Sequence, residues 1–240
     1  MKYEYALSDF THLTEDIVKL CFIPTPASPI LSYQSGQYIQ VLLDENTLFP
    51  LSIANAPIAQ DNSHSLVIHL KAGSEHPLAA AFLTQLNKQS VIKFTGPFGR
   101  CVAQQADFLY FIAGGTGFSP FQALLSDLLS NTDNPCLLYW GISEVKDLYQ
   151  KKLVDDWQEK YAHFSYIPVL SNPDNTWQGK TGWVHEVFFK EQMSTLQRHT
   201  QNAQSYYVYA SGPYPMVQAI KKSFIDENLV LSSLLSDMLP

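Results

Sequence analysis

The chain has 240 residues, of which 46% are hydrophobic and 15% are charged, a composition that excludes an intrinsically disordered protein and allows one large or two small globular domains. Its 15 basic and 22 acidic residues give a formal net charge of −7, which excludes the positive surface typical of proteins that bind nucleic acid or anionic membranes. No apolar run approaches the roughly 20 residues of a transmembrane helix, and the sequence begins without the features of a signal peptide. We therefore expect a cytoplasmic protein.

The three cysteines, Cys21, Cys101 and Cys136, stand far apart in the sequence. Zinc sites, iron–sulfur clusters and redox pairs draw on closely spaced cysteines. The sequence therefore predicts three buried free thiols and no metal site.

The first hundred residues read as short strands separated by turns. Four segments are rich in β-branched and aromatic residues: IVKLCFI, YIQVLL, SLVIHLK and SVIKFTG. Clusters of Gly, Pro, Asn, Asp and Ser lie between them and are typical of turns. The segment HPLAAAFLTQL is typical of a short helix across the end of a sheet. This spacing predicts an antiparallel barrel or sandwich.

The pattern changes after Asp107. The segments FLYFIAG, CLLYWG, FSYIPVL and YYVYASG are apolar without alternation, as expected of strands covered on both faces. Helical segments separate them: SPFQALLSDLL, KDLYQKKLVDDWQEKY, VHEVFFKEQM and PMVQAIKKSFI. Strand alternating with helix predicts a parallel, doubly wound sheet. We place the two domains at residues 1–103 and 104–240.

The stretch YFIAGGTGFSPFQALLSDLL predicts a strand, a glycine turn and a helix. Ser119 is predicted as the N-cap, Pro120 as the first helical residue, and Gln122 as the partner in a capping box. The first amides of such a helix have no intrahelical partner and carry the positive end of the dipole. An anion, most naturally a phosphate, fits there.

The glycines of this turn indicate a close approach of backbone to a ligand. Gly114 and Gly115 allow a tight turn after the strand, and Gly117 lets the backbone approach a pyrophosphate. A glycine-rich turn without ligand is the simplest alternative. A second alternative takes Ser119 as a nucleophile, but the motif G-x-S-x-G needs a glycine where Phe121 stands.

Four stretches carry a family resemblance: FPLSIANAP (Phe49–Pro57), GPFG (Gly96–Gly99), GGTGFSP (Gly114–Pro120) and YASGPYPMV (Tyr209–Val217). Together they resemble the ferredoxin–NADP reductase superfamily, and most closely its small NAD(P)H–flavin reductases. The resemblance implies a six-stranded antiparallel β-barrel that binds flavin, followed by an α/β doubly wound parallel sheet that binds NADH or NADPH. It also implies hydride transfer from nicotinamide C4 to flavin N5.

The resemblance implies two sets of site residues. The flavin set is Phe49, Pro50, Leu51, Ser52, Ile53, His69, Leu70 and Lys71. The nucleotide set is Gly114, Gly115, Thr116, Gly117, Ser119, Pro120, Ser211, Gly212, Pro213 and Met216. Ser52 is predicted as the catalytic residue that hydrogen-bonds flavin N5, and Thr116 as a neighbour of the nicotinamide ribose. Structural roles are the alternatives: a backbone-bonded Ser52, and a His69 and Lys71 that face solvent.

The flavin motif departs from the family at two positions. Phe49 stands where the family has an arginine that holds the flavin phosphate, and Leu51 stands where it has a stacking aromatic residue. Loss of a charge-assisted phosphate contact worth about 1.5–3 kcal/mol weakens flavin binding. Arg100 and Lys71 are the candidate substitutes. We therefore expect FMN, FAD or riboflavin to be held weakly, with Phe49 lining an apolar rim.

The predicted function is hydride transfer from NAD(P)H to a loosely bound flavin that passes electrons to another protein, such as an acceptor protein or an oxygenase. The alternative is an electron-transfer subunit or non-catalytic partner-binding module with a degenerate flavin site. Ser143 stands where some relatives have arginine, which favours NADH, whereas Lys146 leaves NADPH open.

Overall fold

The computed structural model describes residues 2–57, 64–73 and 76–239. The chain divides into two compact units, one of Met1–Val102 with Gln122–Asp127, the other of Ala103–Phe121 with Leu128–Pro240. Within the described ranges, no helix has the length and apolar character to cross a membrane.

The first unit is a six-stranded antiparallel sheet. Its strands are β1 (Lys2–His12), β2 (Ile17–Pro24), β3 (Tyr38–Leu42), β4 (Leu48–Ser52), β5 (Leu66–Lys71) and β6 (Val91–Phe98). They lie in the order β4-β3-β6-β1-β2-β5, and every neighbouring pair is antiparallel. Helix α1 (Pro77–Lys88) connects β5 to β6. The predicted antiparallel six-stranded fold is confirmed.

The two edge strands of this sheet approach each other. The backbone N–H of Ala54, just beyond β4, donates to the carbonyl of Val67 in β5 at 2.8 Å. Closure of this kind gives the inward-facing side chains a single core. Strand β4 shows the alternation: Phe49 and Leu51 are buried, whereas Leu48 and Pro50 are exposed.

The second unit is a six-stranded parallel sheet. Its strands are β7 (Phe108–Gly114), β8 (Cys136–Ile142), β9 (Phe164–Leu170), β10 (Lys180–Thr181), β11 (Tyr206–Ser211) and β12 (Leu234–Leu235). Their order is β10-β9-β8-β7-β11-β12, and all pairs are parallel. Because β7 lies between β8 and β11, the strand order reverses there. The carboxyl end of β7 is therefore the topological switch point.

Four helices alternate with these strands: α2 (Phe118–Leu128), α3 (Lys151–Lys160), α4 (Val184–Gln201) and α5 (Tyr214–Asp226). The predicted helix KDLYQKKLVDDWQEKY is interrupted, because Val145–Asp147 form a separate 3-10 turn and α3 begins only at Lys151. Among the described residues, Cys21, Cys101 and Cys136 form no disulfide bond, but Cys21 is only half-buried, so the prediction that all three thiols are buried is wrong for Cys21.

Candidate nucleotide and flavin sites

The glycine turn joins β7 to α2 through a 3-10 turn over Gly115–Gly117. The N–H of Phe118 donates to the carbonyls of Gly115 and Thr116, so the turn runs directly into the helix. The predicted capping box is therefore wrong. Ser119 lies inside the first helical turn, its side chain is 3% exposed, and its hydroxyl makes no hydrogen bond within the described structure.

Gly117 packs against the backbone at the end of β11. A Cβ atom there would lie 2.1 Å from the carbonyl oxygen of Ser211 and 2.7 Å from the nitrogen of Gly212. Real Cβ contacts are never so short. The missing side chain therefore makes room for the protein's own backbone, and the approach of Gly117 to a pyrophosphate stays a prediction.

Gly114 and Gly212 complete the same contact. The Cα of Gly114 lies 2.9 Å from the position that a Cβ on Gly212 would take, and Gly212 has φ +151°. A Cβ on Gly114 would in turn meet Met216 Sδ and Pro213 Cδ, both at 2.9 Å. The two segments predicted to surround the nicotinamide are therefore packed together at the carboxyl ends of β7 and β11.

Gly115 presents the open side of the turn. Its φ is +55° and a Cβ there would meet nothing within 4 Å. Its carbonyl accepts a hydrogen bond from Trp140 Nε1 at 2.9 Å, and the Trp140 ring stacks on Phe118 with centroids 4.2 Å apart. Because Pro120 is also buried, the turn offers a ligand its backbone amides and the half-buried Thr116.

The carboxyl end of β8 carries a charged pair. Glu144 follows β8 by two residues, and its carboxylate lies 3.1 Å from the ammonium of Lys146. In doubly wound sheets an acidic side chain in this region bonds the ribose of NAD, and a cation accepts the extra phosphate of NADP. The structure thus places both candidate groups together, with Ser143 exposed beside them.

The flavin motif in β4 turns two predicted side chains into the core. Phe49 and Leu51 are each 5% exposed and Ile53 is fully buried. The Phe49 ring lies 5.9 Å from Phe82 of α1. The prediction that Phe49 lines an apolar rim is therefore wrong. Ser52 is half-buried at the end of the strand.

Helix α1 begins at a residue that sequence reasoning did not single out. The N–H of Ala79 donates to His76 Nδ1 at 3.4 Å, and Pro77 follows as the first helical residue. The Phe49 ring lies 5.6 Å from the His76 imidazole. The chain's own side chains therefore cap and flank this N-terminus, where a helix dipole would otherwise attract a phosphate. The available sequence signal was Pro77, because proline favours the first position of a helix.

Strand β5 supplies the remaining predicted flavin contacts. His69 and Leu70 are each 5% exposed, whereas Lys71 is exposed. The solvent-facing alternative for His69 is therefore wrong. Burial, followed by the positive charge of Lys19, lowers the pKa of His69 from its ordinary 6.5 to about 4. Arg100 and Lys71, the candidate replacements for the family's phosphate-binding arginine, are both exposed.

Residues 2–57, 64–73 and 76–239 contain no group of three or more His, Cys, Asp or Glu side chains placed to hold a metal ion.

Comparison with known proteins agrees with this geometry. The family model described as oxidoreductase NAD-binding domain matches residues 111–222. A CDP-6-deoxy-L-threo-D-glycero-4-hexulose-3-dehydrase reductase from Yersinia pestis is 27% identical over 98% of this chain and 68% of its own length. An NAD(P)H-flavin reductase from Vibrio harveyi is 29% identical over 83% of this chain and 82% of its own length.

A third relative is the anthranilate 1,2-dioxygenase electron transfer component of Acinetobacter baylyi, 30% identical over 83% of this chain and 56% of its own length. Among solved structures, a ferredoxin NADP+ reductase from Neisseria gonorrhoeae with bound FAD and NADP has a TM-score of 0.72 at 16% identity, over 94% of this chain and 91% of its own. This similarity shows the shared fold.

Fold, family model and relatives together define the class: an oxidoreductase with an NAD-binding domain. The chain is similar to NAD(P)H-flavin reductases along most of its length and shares the fold of a ferredoxin NADP+ reductase. The predicted resemblance, the two-part fold and the oxidoreductase class are confirmed.

Proposed function

We propose that the chain transfers a hydride from NAD(P)H to a flavin that it holds weakly, and that the electrons then pass to a separate protein. Residues 1–103 form the flavin-binding domain and residues 104–240 the nucleotide-binding domain in this proposal. The names of the relatives, an NAD(P)H-flavin reductase and a dioxygenase electron transfer component, support this order of transfer.

The observation that carries the proposal of weak binding is the pair Phe49 and His76. In place of a cation, the chain has a buried ring packed 5.6 Å from the imidazole that caps α1. An arginine bound to a phosphate contributes about 1.5–3 kcal/mol. Without it we expect affinity lower by one to two orders of magnitude. The flavin then exchanges with solvent, whether it is FMN, FAD or riboflavin.

In this proposal the nucleotide set of site residues holds a dinucleotide. In this proposal the amides of the turn at Gly115–Gly117 and of the first turn of α2 bind a phosphate, and the half-buried Thr116 lies in the same turn. Ser211 to Met216 form the adjoining wall, already packed against the turn. Nicotinamide and flavin supply the hydride chemistry when bound. The chain's part is to hold the two ring systems, with Ser52 donating to flavin N5.

The acceptor in this proposal is a separate protein, in the cytoplasm, of the kind that the electron transfer component serves, an oxygenase. Burial of Phe49 favours one rival: an electron-transfer subunit or partner-binding module whose flavin site has degenerated.

A turnover assay separates the two functions. Protein is mixed with NADH or NADPH and excess FMN, FAD or riboflavin, and nicotinamide absorbance is followed. We expect oxidation that rises with flavin concentration, and colourless protein after desalting. Oxidation no faster than in the protein-free control, with every flavin, rules out the reductase. A protein that stays yellow after desalting rules out weak retention.

A further inference from the structure

A cavity of 200 Å³ opens at the amino end of the parallel sheet. Its lining includes Phe108, Tyr110, Leu137, His163, Ser165 and Gln192. None of the described residues that line it is Lys, Arg, Asp or Glu. Phe108 and Gly114 are the first and last residues of β7, so the cavity lies roughly 20 Å from the glycine turn along that strand. It is therefore separate from the glycine turn.

A small residue in β9 leaves the space for this cavity. Tyr110 pairs with Leu137 in β8, and Leu137 pairs with Ser165 in β9, so the three side chains lie in one row on the same face of the sheet. Two residues further along β9, the same face carries the larger Ile167. Tyr110 is buried whereas Ser165 is exposed. The tyrosine therefore forms the floor of the cavity and the serine its mouth.

The two aromatic walls are held by His199, which is buried. The Phe108 ring stacks on its imidazole with centroids 4.0 Å apart, and its Nε2 lies 3.0 Å from the Tyr110 hydroxyl. Its Nδ1 lies 2.9 Å from the Gln204 amide oxygen. Because an amide oxygen only accepts, Nδ1 carries the proton and Nε2 accepts from Tyr110. Both walls are thus fixed before any ligand binds.

His163 brings an unsatisfied polar atom to the lining. Its Nε2 is buried and has no hydrogen-bond partner within the part of the chain that the structure describes. Buried polar atoms in proteins nearly always have a partner, either protein, water or ligand. Gln192 is already engaged, because its Nε2 donates to the Tyr139 hydroxyl at 3.0 Å. The cavity therefore combines fixed aromatic walls with a nitrogen that lacks a partner.

From these features we propose that the cavity binds an uncharged molecule of one aromatic ring that carries a hydroxyl group. An apolar cavity of about 150 Å³ is enough for benzene, so this cavity has room for one substituted ring. An ionised ligand is disfavoured, because burial of a charge without a charged partner is costly. A hydroxyl group both donates and accepts, so it can bond His163 Nε2 in either tautomer. The proposal does not depend on the proposed function.

Phenol is the probe, and toluene, which has the same ring and size without the hydroxyl, is the matched control ligand. The best molecules of this size reach a Kd of about 0.1–1 mM. We expect phenol to bind in that range, and toluene to bind at least about threefold more weakly. Binding is measured by NMR titration of the isotope-labelled full chain. The amide signals of His163 and Ser165 should move as phenol is added.

Two variants test the location and the hydrogen bond. Ser165→Leu fills the gap in the row and should abolish phenol binding, whereas Ser194→Leu, at an exposed position of α4, should leave the Kd unchanged. His163→Phe keeps a ring but removes the nitrogen, so the Kd for phenol should rise about threefold or more while the Kd for toluene stays the same. Thermal denaturation checks that each variant is folded. If Ser165→Leu does not fold, His163→Phe still tests the proposal.

Equal affinity of the wild type and a folded Ser165→Leu for phenol would overturn the proposal, as would equal affinity of the wild type for phenol and toluene. Signal changes confined to residues 49–53 or 114–120 would place phenol at the predicted flavin or nucleotide residues, and would also overturn it. If no signal moves up to about 10 mM phenol, the cavity holds water only and the proposal is wrong.

Discussion

Gly117 and Ser211 are in backbone contact: a Cβ atom on Gly117 would lie 2.1 Å from the Ser211 carbonyl oxygen. This contact joins two motifs that are far apart in sequence, one at the end of β7 and one at the end of β11. The strands themselves are neighbours, with Ser211 paired to Ala113. The nucleotide turn is therefore shaped by its neighbour strand before any ligand arrives.

Gly117→Ala should damage both stability and nucleotide binding. The added methyl meets backbone atoms, which cannot rotate away, so the turn must shift, and we expect a loss of about 1–3 kcal/mol in the free energy of unfolding. The KM for NADH should rise because the turn amides move with the backbone. Thermal denaturation and NADH kinetics measure the two effects. Gly73→Ala is the control, because a Cβ there meets nothing within 4 Å; a Gly117→Ala variant as stable as that control would contradict the contact.

Ser52→Ala should slow hydride transfer while preserving the fold. Ser52 is half-buried at the end of β4, so removal of its hydroxyl leaves the core intact. Loss of one hydrogen bond to flavin N5 should lower kcat about tenfold. Rapid-mixing measurement of flavin reduction reports this step directly. Ser90→Ala, at an exposed residue before β6, controls for loss of any hydroxyl, and equal rates in both variants would remove Ser52 from the site.

Much of the nucleotide domain could be predicted from sequence. Strands β7 and β9 begin and end where their apolar runs do. Both faces of a strand in a parallel sheet are covered by helices, so such a strand is apolar along its whole length and its limits can be read from the sequence. Strand β1 was not predicted, since its sequence KYEYALSDFTH mixes charged and apolar residues. Its strand conformation is supplied by pairing with β2 and β6 on either side.

The site was harder to predict, because its details depend on distant contacts. Local capping signals favoured Ser119 as the start of α2, but the hydrogen bond from Trp140 to Gly115 belongs to a turn that starts the helix earlier. The absent arginine was visible in sequence, whereas the position of the Phe49 ring beside His76 was not. A sequence shows which residue types are present; only the fold shows which way they face.

Stability should depend on the protonation of His69. Burial lowers the pKa of His69 from 6.5 to about 4. Between these two pH values its imidazole is therefore neutral in the folded protein but takes up a proton in the unfolded chain. Above pH 6.5 the imidazole is neutral in both states and the free energy of unfolding is at its full value. As the pH falls from 6.5 toward 4, protonation of the unfolded chain lowers the free energy of unfolding by about 3 kcal/mol. Urea unfolding at several pH values measures it. We expect His69→Gln to flatten this part of the pH profile, whereas His12→Gln, at an exposed residue of β1, should not; identical profiles for both variants would contradict the assignment.

Glu144→Gln should shift the preference between the two nucleotides. A carboxylate beside the adenosine ribose accepts hydrogen bonds from its hydroxyl groups and repels a 2′-phosphate. The Glu144 carboxylate also pairs with the Lys146 ammonium at 3.1 Å. Because the Glu144 side chain is 45% exposed and that of Lys146 is 65% exposed, solvent weakens both the ion pair and the repulsion of a phosphate. We expect the ratio of kcat/KM for NADPH to that for NADH to rise about fivefold, since the neutral amide no longer repels the phosphate and no longer competes for the lysine. Glu159→Gln removes one negative charge from the exposed face of α3 and should leave the ratio unchanged. If both variants shift the ratio equally, overall charge sets the preference and Glu144 does not.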